Sequence, residues 1–202
     1  MFKLILLFSC ILILTGCNNT ENTNENPEIN QTIENSNNAS SAKNNQNVQE
    51  EELASFSTKI YTPDDENRQT NLKLCCSTLN GSIVKSGETF SFCNTIGEAT
   101  PESGYKKADI INPDGTKSKG YGGGKCQVSS TLYNAVLEIN NLVVVERHRH
   151  PQNQDVYYVE LGKDASVSYG SADFKFRNDN PFDIKIYASA NNENVSITIV
   201  KI

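Results

Sequence analysis

Between residues 18 and 52 the chain is composed almost wholly of Asn, Glu, Thr, Ser and Gln, and this tract limits what the remainder can become. Its few apolar breaks include Pro27, Ile29 and Ile33. Fixing each residue costs about 1–2 kcal/mol of backbone entropy, and a tract this poor in apolar surface has nothing to offset it. The expectation is a disordered tether over residues 17–55, with an r.m.s. reach of roughly 30–35 Å. Every core residue must therefore come from residues 56–202, a length that suits one compact domain.

Ahead of the tether stands Lys3, then an apolar run over residues 4–14, then Leu14-Thr15-Gly16-Cys17. The run is shorter than the roughly 20 residues a spanning helix requires, and it ends in small residues, as an export signal does. Residues 1–16 read as a lipoprotein signal peptide, with Cys17 the lipidated first residue of the mature protein. The reading places the domain outside the cytoplasm, anchored by its lipid to the outer face of the cell membrane and within reach of the wall. The formal net charge of −6 argues against a nucleic-acid partner, which needs a basic stripe.

Hydrophobic periodicity divides the domain into short elements. Leu72, Cys75, Cys76 and Leu79 recur at helical spacing over residues 67–80, and Asn80-Gly81 supplies a stop. A second amphipathic helix is expected over residues 127–140, carrying Val128, Leu132, Ala135, Val136 and Ile139 on one stripe. Strands are expected at 82–85, 89–92, 108–112, 117–119, 142–145, 156–159, 165–169, 174–177, 184–190 and 195–200, with a turn at 113–115 and a hairpin loop at 191–194. Two main helices on a predominantly antiparallel sheet make an α+β domain. Four cysteines fall within it. Cys75 and Cys76 are adjacent and read as small core residues, and a bridge from either to Cys93 stays open.

Chemistry concentrates in "GGGKCQVSSTLYNAVL" at 122–137 and "VERHRH" at 145–150. A cysteine in the first turn of a helix has its thiolate favoured by unpaired N–H groups and the helix dipole. Gly122, Gly123 and Gly124 would let a substrate carbonyl approach the main chain, and the N–H groups of Cys126 and Gln127, with the Gln127 amide, would hold a developing oxyanion. A nucleophile needs a base. A 14-residue helix is about 21 Å long, so a strand returning antiparallel would carry His148 or His150 back to its start. Period 2 puts both histidines on one strand face, and Asp155, Asp164 or Asp173 would orient the imidazole. Ser129, Tyr133 and Arg147 complete the candidate substrate-binding set. Two other uses of the same atoms remain open: a tight packed corner without chemistry, and zinc held by Cys126, His148 and His150.

Together with "SGETFSF" at 86–92, "GYKKA" at 104–108 and "FKFRN" at 174–178, these motifs make the chain resemble a VanW-type domain over about three quarters of its length. The family takes its name from an association with glycopeptide-resistance clusters, and the resemblance implies a Gram-positive envelope setting without an established reaction; the lipobox and the tether put the expected site of action on or at peptidoglycan or another cell-wall polymer. The chain departs from the usual pattern at Cys75, Cys76 and Cys93. The motif residues Cys126, His148 and His150 therefore carry the functional expectation: acyl transfer or amide hydrolysis, or, as the alternative, a module that binds the cell wall or an envelope protein without chemistry.

Overall fold

The computed structural model describes residues 49–112, 114–151 and 156–202. The expected signal peptide, the lipidated Cys17 and most of the expected tether lie outside the described residues. No helix among the described residues is long and apolar enough to cross a membrane.

The described part is α+β, as the periodicity predicts. A four-stranded antiparallel sheet runs in the order β1 (Glu51–Lys59), β9 (Asn194–Lys201), β8 (Ile184–Ala190), β2 (Ser82–Val84). Alternation drives it: Ile184, Ile186 and Ala188 on β8, with Val195, Ile197 and Ile199 on β9, all point into the core. Each such isoleucine, fully enclosed, contributes about 1.5–3 kcal/mol. A second sheet has the order β3 (Thr89–Ser91), β7 (Lys175–Asn178), β6 (Leu142–Glu146), and β4 (Lys107–Ile111) with β5 (Lys117–Tyr121) forms a hairpin.

Two long helices pack on the four-stranded sheet: α1 (Glu66–Leu79) against β8, and α3 (Lys125–Leu137) against β1 and β9. Asp65 caps α1 by accepting the Arg68 N–H at 2.9 Å, and Asn80-Gly81 ends it as expected, with Gly81 at φ +85°. Leu72, Leu79, Val128, Leu132 and Val136 meet Phe92, Phe174 and Phe176 in one core.

Four details differ from the sequence reading. β1 starts at Glu51, inside the stretch assigned to the tether; a bulge between Glu52 and Ala54 and the serines at 55 and 57 hide its alternation. The chain turns at Phe92 into a short helix α2 (Phe92–Ile96), because Ser91 caps it through the Asn94 N–H. The stretches 156–159 and 165–169 are not strands: turns and two isolated bridges, His148 with Ser166 and Ser168 with Ala172, take their place. Finally, α3 begins two residues earlier than expected and ends three earlier; Glu138 caps it, and Asn141 follows at φ +64°. All four described cysteines are free thiols, which closes the open bridge to Cys93.

Candidate functional site

Three stripes of α3 fix its surroundings. Val128, Leu132, Ala135 and Val136 face the core. Gln127 and Thr131 face β1: the Gln127 amide donates to Thr58 Oγ1 at 3.1 Å and to the Lys59 carbonyl at 3.0 Å, while Thr131 Oγ1 meets Thr58 Oγ1 at 2.8 Å. Cys126, Ser130 and Asn134, spaced i, i+4, i+8, face the segment 163–167. Asn134 donates to the Lys163 carbonyl at 2.8 Å, Ser129 donates to the Ala165 carbonyl, and the Ala165 N–H donates to Ser130 Oγ at 2.8 Å. This polar lacing holds Asp164 at a fixed height beside the helix start.

Cys126 is the second residue of α3 and half-buried. The Val167 N–H donates to its sulfur at 3.4 Å, and the Ser166 hydroxyl lies 4.0 Å away. His150 supplies the imidazole. Its Nδ1 lies 2.7 Å from Asp164 Oδ2, which also accepts the His150 backbone N–H at 2.7 Å, and the same ring lies against the Cys126 sulfur. The order Cys126, His150, Asp164 is the order in which a nucleophile, a base and an orienting carboxylate would have to stand. The antiparallel return of β6 has brought one histidine back to the helix start, as the lengths of helix and strand require.

Charge follows from that contact. Burial opposes a thiolate at Cys126, yet the hydrogen bond and charge of His150 outweigh it, with help from Val167 and Ser166, and hold the thiol below its ordinary value. Burial likewise opposes a charged His150, but Asp164 and then the sulfur raise it to about 9. Burial pushes Asp164 upward, and His150 and Arg147 more than reverse this, leaving it below the usual carboxylate range. All three directions favour the same change, towards a thiolate–imidazolium pair backed by a carboxylate. The other sulfurs are the reverse case: burial alone pushes Cys76 up to about 12, and burial with the Asp173 charge does the same for Cys93.

The structure disperses the other candidate residues. His148 does not join Cys126. β6 ends at Glu146 with a register shift, period 2 is lost, and the exposed His148 ring turns to Glu146 Oε1 at 2.8 Å. With His148 gone the zinc set is not assembled, and no group of three His, Cys, Asp or Glu side chains placed for a metal occurs among the described residues. Arg147 supports Asp164: it donates to Oδ1 at 3.0 Å, to the Asp164 carbonyl at 2.6 Å and to the Gly162 carbonyl at 2.7 Å, and it lies over the Tyr133 ring at 5.0 Å. Ser129 is fully buried, and Tyr133 packs edge-on to Phe174. The Gln127 amide is committed to β1 and its N–H to the Gly124 carbonyl at 2.9 Å, so it holds the helix in place and is not left to cradle an oxyanion. The Cys126 N–H, by contrast, has no main-chain partner among the described residues.

The glycines serve the protein's own packing. A Cβ on Gly123 would stand 2.6 Å from the Asp109 carbonyl oxygen, and one on Gly122 would stand 2.6 Å from Ala99 Cβ. Gly124, at φ +113°, is where the chain reverses into α3 without a side-chain cap. Of the two candidate orienting acids that are described, Asp164 is the one in contact with His150. Asp173 accepts from Ser91 Oγ and the Cys93 N–H, and Asp155 lies outside the described residues. Sequence reasoning missed Val167 and Ser166; the Tyr158 hydroxyl also stands close, beside Ser130 and within the field of the Cys126 charge. A shallow cavity of about 380 Å3 is lined by Ser82, Ile83, Glu88, Phe90 and their neighbours and includes none of these groups.

Comparison with known proteins bears on the same residues. The sequence model of the family described as VanW like protein matches residues 67–200, which spans α1, the glycine run, Cys126, His150 and Asp164. The chain belongs to the VanW-like family. It is 38% identical over 159 residues to the "Uncharacterized protein YoaR" of Bacillus subtilis (strain 168), covering 75% of this chain and 51% of that protein. It is also 33% identical over 137 residues to the "Vancomycin B-type resistance protein VanW" of Enterococcus faecalis (strain ATCC 700802 / V583), covering 64% of this chain and 48% of that protein. The chain thus spans about half the length of these curated relatives. No solved structure matches it.

Proposed function

We propose that this VanW-like domain is a cysteine acyltransferase or amidase acting on peptides of the cell wall, from a lipid anchor at Cys17 on the outer face of the membrane. The observation that carries the chemistry is the contact of Cys126 with an imidazole that Asp164 holds through Nδ1. In the proposed reaction the Cys126 thiolate attacks an acyl carbon, forming a C–S bond. The Cys126 N–H and the start of α3 face the developing oxyanion. The His150 imidazolium gives its proton to the departing amine as the C–N bond breaks. A second amine or water, deprotonated by the same ring, then cleaves the thioester and restores the thiolate. Asp164, laced to α3 and clamped by Arg147, keeps the ring in register through both half-reactions.

Wall peptide is the substrate proposed because the lipobox and polar tether expected from the sequence put the domain beside the wall. A relative named for vancomycin resistance is consistent with that setting. Muropeptide analysis tests the reading: a strain carrying Cys126→Ala should lose a set of crosslinked or trimmed products while the protein stays folded. An unchanged profile from Cys126→Ala, with wild-type expression shown, counts against it. The second reading is a wall-binding module, favoured by the exposed rings of Tyr157 and Tyr169, 74% and 53% accessible, near the site in sequence. Binding to insoluble wall that survives Cys126→Ala, with no product released, would favour that module.

A further inference from the structure

At the start of α3, on the residue that follows Cys126, rests a cation that the Cys126–His150–Asp164 array does not use. Arg68, in the first turn of α1, carries its side chain alongside the start of α3: a Cβ on Gly124 would lie 3.7 Å from Arg68 Cγ. Its Nη2 donates to Gln127 Oε1 at 2.9 Å. That acceptor is held rigidly, because the donors of the same buried amide are fixed on Thr58 and Lys59. Gln127 follows Cys126 directly, and the Tyr158 hydroxyl lies in the field of both Cys126 and Arg68.

Arg147 and Arg177 each have a carboxylate, Asp164 and Asp179, but no described carboxylate is ion-paired with Arg68. Glu66 shares the first turn of α1 without pairing to it, and Asp65 spends Oδ1 on the Arg68 backbone N–H as the helix cap. A guanidinium has five N–H donors in a planar fork, and one contact to Gln127 leaves the rest of the fork available. Half-buried, without an ion pair among the described residues and oriented by a buried amide, it is arranged as carboxylate-binding arginines are.

We infer that Arg68 is a specificity residue of the Cys126 site, selecting acyl substrates that carry a carboxylate close to the carbonyl under attack. The inference rests on the nucleophile reading of Cys126 and adds the charge of the substrate to it. The same substrate with that carboxylate masked as an amide would lose the fork and be turned over more slowly, through KM before kcat.

Two small electrophiles test it in the full chain without a known substrate. The Cys126 thiolate displaces iodide from iodoacetate or from iodoacetamide, forming one S–C bond as one C–I bond breaks; the reagents differ in a carboxylate against an amide. The rate ratio of iodoacetate to iodoacetamide at Cys126, followed by peptide mass, should fall about fivefold in Arg68→Gln, in line with one unit charge removed several ångströms away in a partly solvated site. Arg68→Met, which keeps an apolar stem along Gly124, should fall equally and provides a second neutral variant should glutamine disturb the fold. Arg177→Gln, which removes the same charge from the Asp179 pair, should leave the ratio at the wild-type value. A ratio unchanged in a folded Arg68→Gln or Arg68→Met variant, with fast iodoacetamide labelling retained, overturns this inference and leaves the nucleophile standing. Slow labelling of Cys126 by both reagents in the wild type overturns both.

Discussion

Asp164→Asn is the perturbation that separates an activated Cys126 from an ordinary half-buried one. The substitution keeps the size of the side chain and a hydrogen-bonding oxygen for the His150 N–H, which lies 2.7 Å from Oδ2, but removes the negative charge from behind the ring. His150 stands at about 9 against an ordinary 6.5, with Asp164 the largest of the groups that raise it. Losing about half of that elevation lowers the imidazolium by roughly 1–1.5 pKa units, or about 1.5–2 kcal/mol of support for the ion pair at 1.36 kcal/mol per unit. The thiolate shares that support, so at neutral pH its population should fall about tenfold. The assay is the rate of Cys126 alkylation by neutral iodoacetamide between pH 5 and 10, read by peptide mass. Wild type should label well below the pH at which a free thiol does, and Asp164→Asn should need a higher pH for the same rate. Superimposable pH profiles for the two proteins would refute the claim that the carboxylate powers the pair.

Other outcomes rest on the same geometry. His150→Ala should remove the low-pH labelling of Cys126 while His148→Ala leaves it intact, because His148 is turned to Glu146. Under native conditions Cys126 should label first, with Cys75 and Cys76, at 0% and 1% exposure, reacting only after denaturant is added. Gly123→Ala should destabilise by about 1–3 kcal/mol, measured as a fall in Tm, since its Cβ would press on the Asp109 carbonyl and Ala108.

The frame of this fold is readable in the sequence, and the site only half so. Apolar periodicity locates α1, α3 and the strands β8 and β9, because burial of Leu72, Leu132, Ile186 and Ile197 leaves a repeating mark. It misses the opening of β1, where a bulge and exposed serines break that mark, and it places strands within 156–169, where single bridges satisfy the backbone. Cys126 and His150 are legible because a helix start and a returning strand of matched length bring them together. Three features are not. Choosing His150 over His148 depends on where β6 loses its register, and choosing Asp164 depends on the lacing of Ser129, Ser130 and Asn134 to residues 163–165. The glycine run suggests room for a substrate, whereas the space beside Gly122 and Gly123 is filled by Ala99, Ala108 and Asp109. Long-range contacts of that kind leave no local pattern in the chain.

A covalent acyl group on Cys126 is the species that decides whether the array is catalytic. Purified protein mixed with peptidoglycan fragments and quenched in acid should show, by intact mass and peptide mapping, an acyl group on Cys126 that hydroxylamine removes. The adduct should be absent from Cys126→Ala and should accumulate when acceptor amines are withheld. A protein whose mass never changes, with the fragments recovered intact, would contradict the acyl-enzyme and with it the role given to the Cys126–His150–Asp164 array.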